Sequence, residues 1–352
     1  MPPSDPAAHQ ESIVIELTQR CNHDCLHCYN AWKNAAPYPM GELDTADTLR
    51  NIGKLFDESG AHLVSLSGGE PLLRADFLDI LRFLNQRGVA VNLITNGSLL
   101  DEAMVARLVP DRISVFELPL LSVKREIHDR MSGAAGAFDR VTLAIAELKS
   151  AQQRVVGVFV ATRLNLPTWR QTAELAVALG LDGIMFNRFN PGGRGFSNLD
   201  LLQADPSDVS VALDIAEEIS AGYEIPIACS IAMPPCLFDT NKYKRLTFGF
   251  CAAGTSRAYY TLDPLGNVRP CNHSPRILGN IREMTFREMC ASDRMKDFIS
   301  ARPQFCSGCP FETTCQGGCK AAAEACYGSA WASDPFLNAF ATTSCLRAGF
   351  RV

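Results

Sequence analysis

Six short runs in the first 225 residues are close to continuously apolar: "SIVIEL" (12–17), "HLVSLS" (62–67), "VAVNLIT" (89–95), "RISVFELP" (112–119), "VVGVFVATR" (155–163) and "GIMFNRF" (183–189). Runs of this kind are what strands buried on both faces look like. Between them the apolar positions recur every three or four residues, as in "TADTLRNIGKLFDE" (45–58), "AFDRVTLAIAELKS" (137–150) and "TWRQTAELAVALG" (168–180). That is the period of an amphipathic helix. Strand and helix alternating six times predict an α/β fold around a parallel sheet. The repetition is architectural, with no repeat in the sequence itself.

The texture changes near 225–250, where Cys, Gly and Pro become frequent and turn signals such as "DPLGN" (263–267) replace periodicity. The expected organisation is a disordered N-terminus over 1–11, an α/β domain over 12–230 and a cysteine-rich domain over 231–352. "PGGRGFSN" (191–198) reads as an excursion loop on the first domain. A net charge of −5 from 33 basic and 38 acidic residues carries no nucleic-acid footprint and no polybasic membrane patch. "MPPSDPAAHQE" lacks the basic and apolar regions of a signal peptide, and no apolar run is long enough to span a bilayer. The expected compartment is the cytoplasm.

In that reducing compartment the 14 cysteines need a role other than stable disulfides, and grouped cysteines point to metal. Cys21, Cys25 and Cys28 form one group, no cysteine follows until Cys229, and eleven lie from there onward. Two metal regions, one at each end, is the simplest description. The first group follows the first strand, where loops of parallel α/β folds carry active sites. Zinc normally takes four ligands, and His23 and His27 are cramped against the thiols. An iron–sulfur cubane held by three thiolates instead keeps one iron open to an exogenous ligand.

The spacing C-x3-C-x2-C, with His27 before the last cysteine, resembles the radical S-adenosylmethionine (radical SAM) superfamily. "LSGGEPLL" (66–73), following the second strand, agrees with it. The resemblance implies a partial (β/α)6 TIM-like barrel in which Gly68, Gly69 and Glu70 hold the SAM amino group and Pro71 ends the turn. Glycines permit close backbone approach and a carboxylate suits an ammonium. It further implies that Asn96, in "LITNG", lines the pocket and that Arg130, in "IHDRMSGAAGAF", reaches the SAM carboxylate. Counting back from His128, this chain has Pro119 where the family often has a Ser that contacts the ribose. Glu117 is the alternative contact, or else a structural glutamate at a strand end.

From Cys251 the spacing is C-x14-G-x4-C, reaching Gly266 and Cys271, and "CSGCPFETTCQGGC" then gives Cys306, Cys309, Cys315 and Cys319. This resembles the SPASM extension, which carries two auxiliary [4Fe–4S] clusters; zinc ribbons are the competing structural reading. The resemblance assigns Cys251, Cys271 and Cys319 to the first auxiliary cluster and Cys306, Cys309 and Cys315 to the second. Two family positions depart: Arg245 and Leu337 stand where cysteines are usual. Cys345 is expected to complete the second cluster, with Cys326 as its rival. Cys236 is offered for the first, which otherwise keeps an open iron. Cys229 and Cys290 read as buried small hydrophobes.

The family chemistry implies three [4Fe–4S] clusters, an electron donor such as flavodoxin or ferredoxin, and reductive cleavage of SAM to a 5′-deoxyadenosyl radical. That radical takes a hydrogen atom from an unactivated C–H bond. Related enzymes cross-link peptides, mature sulfatases or oxidise aminocyclitols and sugars. The sulfatase-maturating type has an Asp after the Gly-x4-Cys cysteine, and Asn272 stands here, an amide that cannot take a proton. Asn272, His273 and Arg188 are candidates near the substrate. With eleven residues before the first strand no fused leader-binding domain is expected, so a peptide enzyme would need a separate recognition protein or would bind its precursor directly. The expectation is oxidative modification of a ribosomally made peptide in natural-product or cofactor biosynthesis. The alternatives are a small-molecule dehydrogenase or epimerase acting on an aminocyclitol or sugar, and a non-enzymatic metal-binding protein.

Overall fold

The computed structural model describes residues 9–33 and 37–338. All six expected strands form: β1 (Ser12–Glu16), β2 (Leu63–Ser67), β3 (Ala90–Ile94), β4 (Val115–Pro119), β5 (Val155–Ala161) and β6 (Gly183–Arg188). They pair in chain order, each parallel to the next. The connecting helices are α1 (Thr45–Ser59), α2 (Phe77–Gln86), α3 (Glu102–Leu108), α4 (Arg125–Ser132), α5 (Ala137–Ser150) and α6 (Trp169–Ala178). Their ends follow local chemistry. Asp44 caps α1 by accepting from the Asp47 N–H, and Gly60 closes it at φ 65°. In α5 the buried positions Phe138, Val141, Ile145 and Leu148 trace one face. Alternate strand residues such as Ile13, Val64, Leu93 and Phe116 join those helix faces in the main core. The opposite residues of each strand face an inner cavity.

After β6 come the short α7 (Gly193–Ser197) and α8 (Leu199–Leu202), then α9 (Pro206–Tyr223), β7 (Ile227–Cys229) and β8 (Leu246–Phe248). The sheet does not stop at residue 230. β7 and β8 extend it in parallel beyond β6, while β9 (Thr261–Leu262) pairs parallel to β1 at the other end. β10 (Asn267–Arg269) and β11 (Gly279–Asn280) then add antiparallel, so the eleven strands run β11-β10-β9-β1 through β8. The sheet does not close on itself: its edge strands are β8 and β11. The C-terminal part adds α10 (Phe286–Ala291), α11 (Asp293–Ser300), α12 (Glu312–Cys315), α13 (Lys320–Tyr327) and α14 (Pro335–Asn338). No helix among the described residues is long and apolar enough to cross a membrane.

Candidate active site

The loop after β1 is enclosed by glycines contributed from three directions. Gly69 and Glu70 donate backbone N–H bonds to Thr18 O and Arg20 O, 2.8 Å each. A Cβ on Gly69 would stand 2.1 Å from Arg20 O, and one on Gly68, at φ +131°, 2.5 Å from Thr18 O. Gly133, which ends α4, would put a Cβ 2.1 Å from Asp24 O. Gly193 approaches Asn30 O and Cys28 O in the same way, at 2.6 and 2.8 Å. The glycines of "LSGGEPLL" thus serve first to let two backbones touch. Asn30 adds a bond from its amide to Gly68 O, 3.1 Å.

Glu70 departs from expectation. It is fully buried and does not line the cavity, because its carboxylate is used inside the wall. Its Oε1 accepts from Thr95 Oγ1 (2.7 Å) and Leu72 N (3.2 Å), and Oε2 from Asn96 N (2.8 Å). The residue clamps the loop after β2 to the loop after β3, and Pro71 starts the buried turn beside it. Asn96 does line the cavity, and its amide bonds Asn22 Oδ1 at 2.8 Å. Arg130 is a correction: it sits on the exposed face of α4, whose inward residues are His128, Met131 and Ser132. Ser132 reaches the cavity wall; Arg130 does not. Glu117 lines the cavity from mid-β4, and burial pushes its carboxyl up to about 7.

One cavity of about 610 Å³ occupies the barrel lumen, and it is lined by both Cys21, Cys25 and Cys28 and by Cys251, Cys271 and Cys319. Burial raises the thiols: Cys25 strongly and Cys271 to about 12, each with help from neighbouring thiols, and Cys319 to about 11 with help from Asp334. Yet backbone N–H groups point at the sulfurs. His23 N serves Cys21, Asn30 N serves Cys28, His273 N serves Cys271, and Ala322 N serves Cys319 at 3.4 Å. Gly317 and Gly318, both at positive φ, serve Cys315, which has Cys309 as its charged neighbour. A neutral thiol is a weak acceptor. Sulfurs ringed by N–H donors are prepared to be thiolates, and hydrogen bonds to cluster sulfurs are among the features that tune iron–sulfur groups. The donor sets therefore fit clusters. Among the described residues, no three His, Cys, Asp or Glu side chains close tightly enough around one point for a lone metal ion.

Cys229 and Cys326 lack this preparation. Cys229 lies in the core, raised to about 12 by burial alone. Cys326 contacts Pro191 O at 3.7 Å, with Asp334 and Cys319 as its charged neighbours. Neither Cys309 nor Cys315 is among the charges acting on it, so the structure does not group it with the second set. Cys236 is exposed and does not line the cavity shared by Cys251, Cys271 and Cys319. Cys345 lies outside the described residues.

The two thiol sets are joined by a polar bridge that sequence reasoning missed. Asn272 donates to the Tyr29 hydroxyl (3.1 Å), and its carbonyl accepts from Cys271 (3.3 Å). His273 stacks on Tyr29 with ring centroids 3.8 Å apart and meets the Asn190 amide at 3.0 Å. The same amide reaches Cys319 Sγ at 3.3 Å. Burial and nearby Arg269 and Arg188 lower the His273 pKa to about 3, so the ring is neutral. His27, also on the wall, is lowered to about 4 by burial, and its Nδ1 has no partner. Asn272 and His273 thus stand at the wall as a brace. Arg188, though it lines the cavity, is bound to Asp334 in a pair with no solvent exposure on either side chain. The signal for Tyr29 and Asn30 was "CYN", directly after the last cysteine of the first group.

Comparison with known proteins agrees with this geometry. The radical SAM superfamily model matches residues 15–176 and the SPASM iron–sulfur cluster-binding domain matches residues 251–310. An AdoMet-dependent heme synthase from Methanosarcina barkeri is 29% identical, over 92% of this chain and 95% of its own. A PqqA peptide cyclase from Granulibacter bethesdensis is 26% identical, over 92% of this chain and 86% of its own. Streptococcus suis SuiB bound to the precursor peptide SuiA superposes with a TM-score of 0.73, covering 93% of this chain and 75% of that one. At 15% identity that likeness speaks for the fold.

Proposed function

This chain belongs to the radical SAM superfamily and carries a C-terminal SPASM domain, and from that premise we propose that it oxidatively modifies a ribosomally made peptide, by cross-linking or dehydrogenation. The observation that carries the reading is the single lumen of about 610 Å³ lined by both thiol sets. A substrate held there stands between the site that cleaves SAM and a site able to accept an electron. Sequence likeness to a PqqA peptide cyclase over most of both chains supports a peptide.

Cys21, Cys25 and Cys28 would hold the SAM-binding cluster, and Cys251, Cys271 and Cys319 the first auxiliary one. Cys306, Cys309 and Cys315, with Cys345, would hold the second. When bound, SAM and its cluster would supply the power to abstract a hydrogen atom from an unactivated C–H bond. The chain's own work is to position and to exclude water. Gly68, Gly69, His27 and Asn96 face SAM, Glu70 holds their loops in place, and the Asn272–Tyr29–His273 brace fixes the separation of the two sites. An external flavodoxin or ferredoxin supplies the electron, and a separate protein presents the peptide. A second reading, a small-molecule substrate, is favoured by the likeness to a heme synthase and by a cavity volume usual for small ligands.

The test is SAM cleavage by the anaerobically reconstituted protein, with and without short peptides encoded beside its gene. Peptide-dependent 5′-deoxyadenosine formation, with a peptide product lighter by two hydrogen atoms, is expected. Cleavage indifferent to every peptide but stimulated by an amino sugar would overturn the peptide reading.

A further inference from the structure

Every charged group described on the cavity wall has a partner except one. Glu11 pairs with Arg257 at 3.4 Å, Lys33 bonds Asp24 at 3.4 Å and Arg188 pairs with Asp334 at 2.5 Å. Lys320 donates to Ile299 O and to Gln316 Oε1. The Glu117 carboxylate has no hydrogen bond or ion pair among the described residues, its backbone carbonyl alone accepting from Thr95 N at 3.2 Å, and burial is the one cause acting on the carboxyl.

The strand register explains why. Glu117 lies opposite Ile94 of β3 and Val156 of β5. Along β4 its neighbours on the same face are Val115 and Pro119. None of these four side chains can donate a hydrogen bond. The carboxylate is therefore set in an apolar collar, aimed at a lumen large enough for a ligand. It lies one inward-facing layer below Pro119, about 7 Å from the end of the strand. Its charge is felt at Tyr259, which Cys271 also influences, and Tyr259 lines the same lumen.

We propose that Glu117 anchors the substrate through a positively charged nitrogen, an ammonium or guanidinium group held in the lumen. The inference rests on reading this cavity as the substrate chamber. A half-buried carboxylate unpaired in an apolar setting is costly, and a cation relieves that cost where a neutral isostere cannot. Burial has raised the carboxyl to about 7, so a bound cation would also restore its charge near neutrality. The ammonium can belong to a lysine of a peptide or to a free cyclic amine, and the probes separate these sources.

The experiment is calorimetric titration of the reconstituted, SAM-loaded protein. One pair of probes is N-acetyl-lysine N-methylamide against N-acetyl-norleucine N-methylamide, and the other is cyclohexylamine against cyclohexanol. Wild type should prefer a charged probe by about ten-fold or more, the scale of one desolvated charge pair. E117Q should lose that preference, E117D should keep part of it, and SAM affinity should not move in either variant. Preference for the lysine probe alone or for both amines supports the anchor on a peptide. Preference for cyclohexylamine alone supports the anchor while the peptide reading fails. Equal affinity within each pair, no binding of any probe, or a preference that survives in E117Q overturns the proposal. So does a fall in SAM affinity in E117Q without an amine preference, which would make Glu117 a SAM contact.

Discussion

Gly69 shows how a motif can be legible while its first duty is not. Its sequence context marked a cofactor loop, but the atom a Cβ would strike is Arg20 O, 2.1 Å away in the preceding loop. That partner is brought in by the fold, so no local pattern announces it. G69A should push the Cys21–Cys28 loop off its seat. With the three cubanes proposed above, iron per reconstituted chain should fall from about twelve toward about eight, as for loss of one cubane, with the auxiliary iron retained. An unchanged iron and sulfide count would show that the loop tolerates the displacement. Glu117 makes a different residue-scale prediction. Its carboxyl is raised from 4.5 to about 7 in the folded chain, so between those values the folded state holds the proton more tightly than the unfolded one. That contribution to stability is complete at low pH and is lost as pH rises through about 7. The melting temperature of wild type relative to E117Q should therefore fall between about pH 5 and about pH 8. A difference independent of pH would mean that the carboxyl titrates as it does in water.

At the scale of elements, the strands and long helices were readable because periodicity is a local property. α5 forms over the range its pattern predicts, and β4 differs only in starting at Val115 rather than at Arg112. The segment 191–198 was readable as glycine-rich but not as a buttress. Its α7 turn lies against the first cysteine loop, about 160 residues upstream in the chain. Gly195 N donates to Cys28 O at 2.9 Å, and the Asn198 amide donates to Leu26 O at 3.1 Å. Gly193 fits at φ +50° only because it has no side chain to meet Asn30 O and Cys28 O. G193A should then act at a distance, lowering iron retention at Cys21, Cys25 and Cys28 and weakening SAM binding, with no change in the far-UV spectrum. If SAM affinity and iron both match wild type, the segment is merely adjacent to the loop and does not support it.

At the scale of the molecule, the barrel and the cysteine-rich region are welded by charges that no spacing rule could have paired. Glu16 on β1 meets Arg269 on β10, and Arg188 at the end of β6 meets Asp334 beyond α13, each pair buried. Arg188 looked like a substrate contact because it ends a barrel strand, the usual place for one. The structure spends it instead: its Nε donates to Ala232 O at 2.7 Å, and Asp334 in turn accepts from Cys319 N at 2.8 Å. The pair thereby links the strand that ends at the lumen to the backbone of an auxiliary thiol. R188M should leave the Asp334 carboxylate buried without its cation, a loss of about 3–5 kcal/mol of stability. The companion D334N removes that uncompensated charge, so R188M/D334N should recover part of the loss in melting temperature. The readout particular to this linkage is iron. If Asp334 sets the position of Cys319, R188M should shed iron from the Cys251, Cys271 and Cys319 set before the Cys21, Cys25 and Cys28 set. Iron lost equally from both, in step with unfolding, would reduce the pair to a structural weld with no bearing on the auxiliary site.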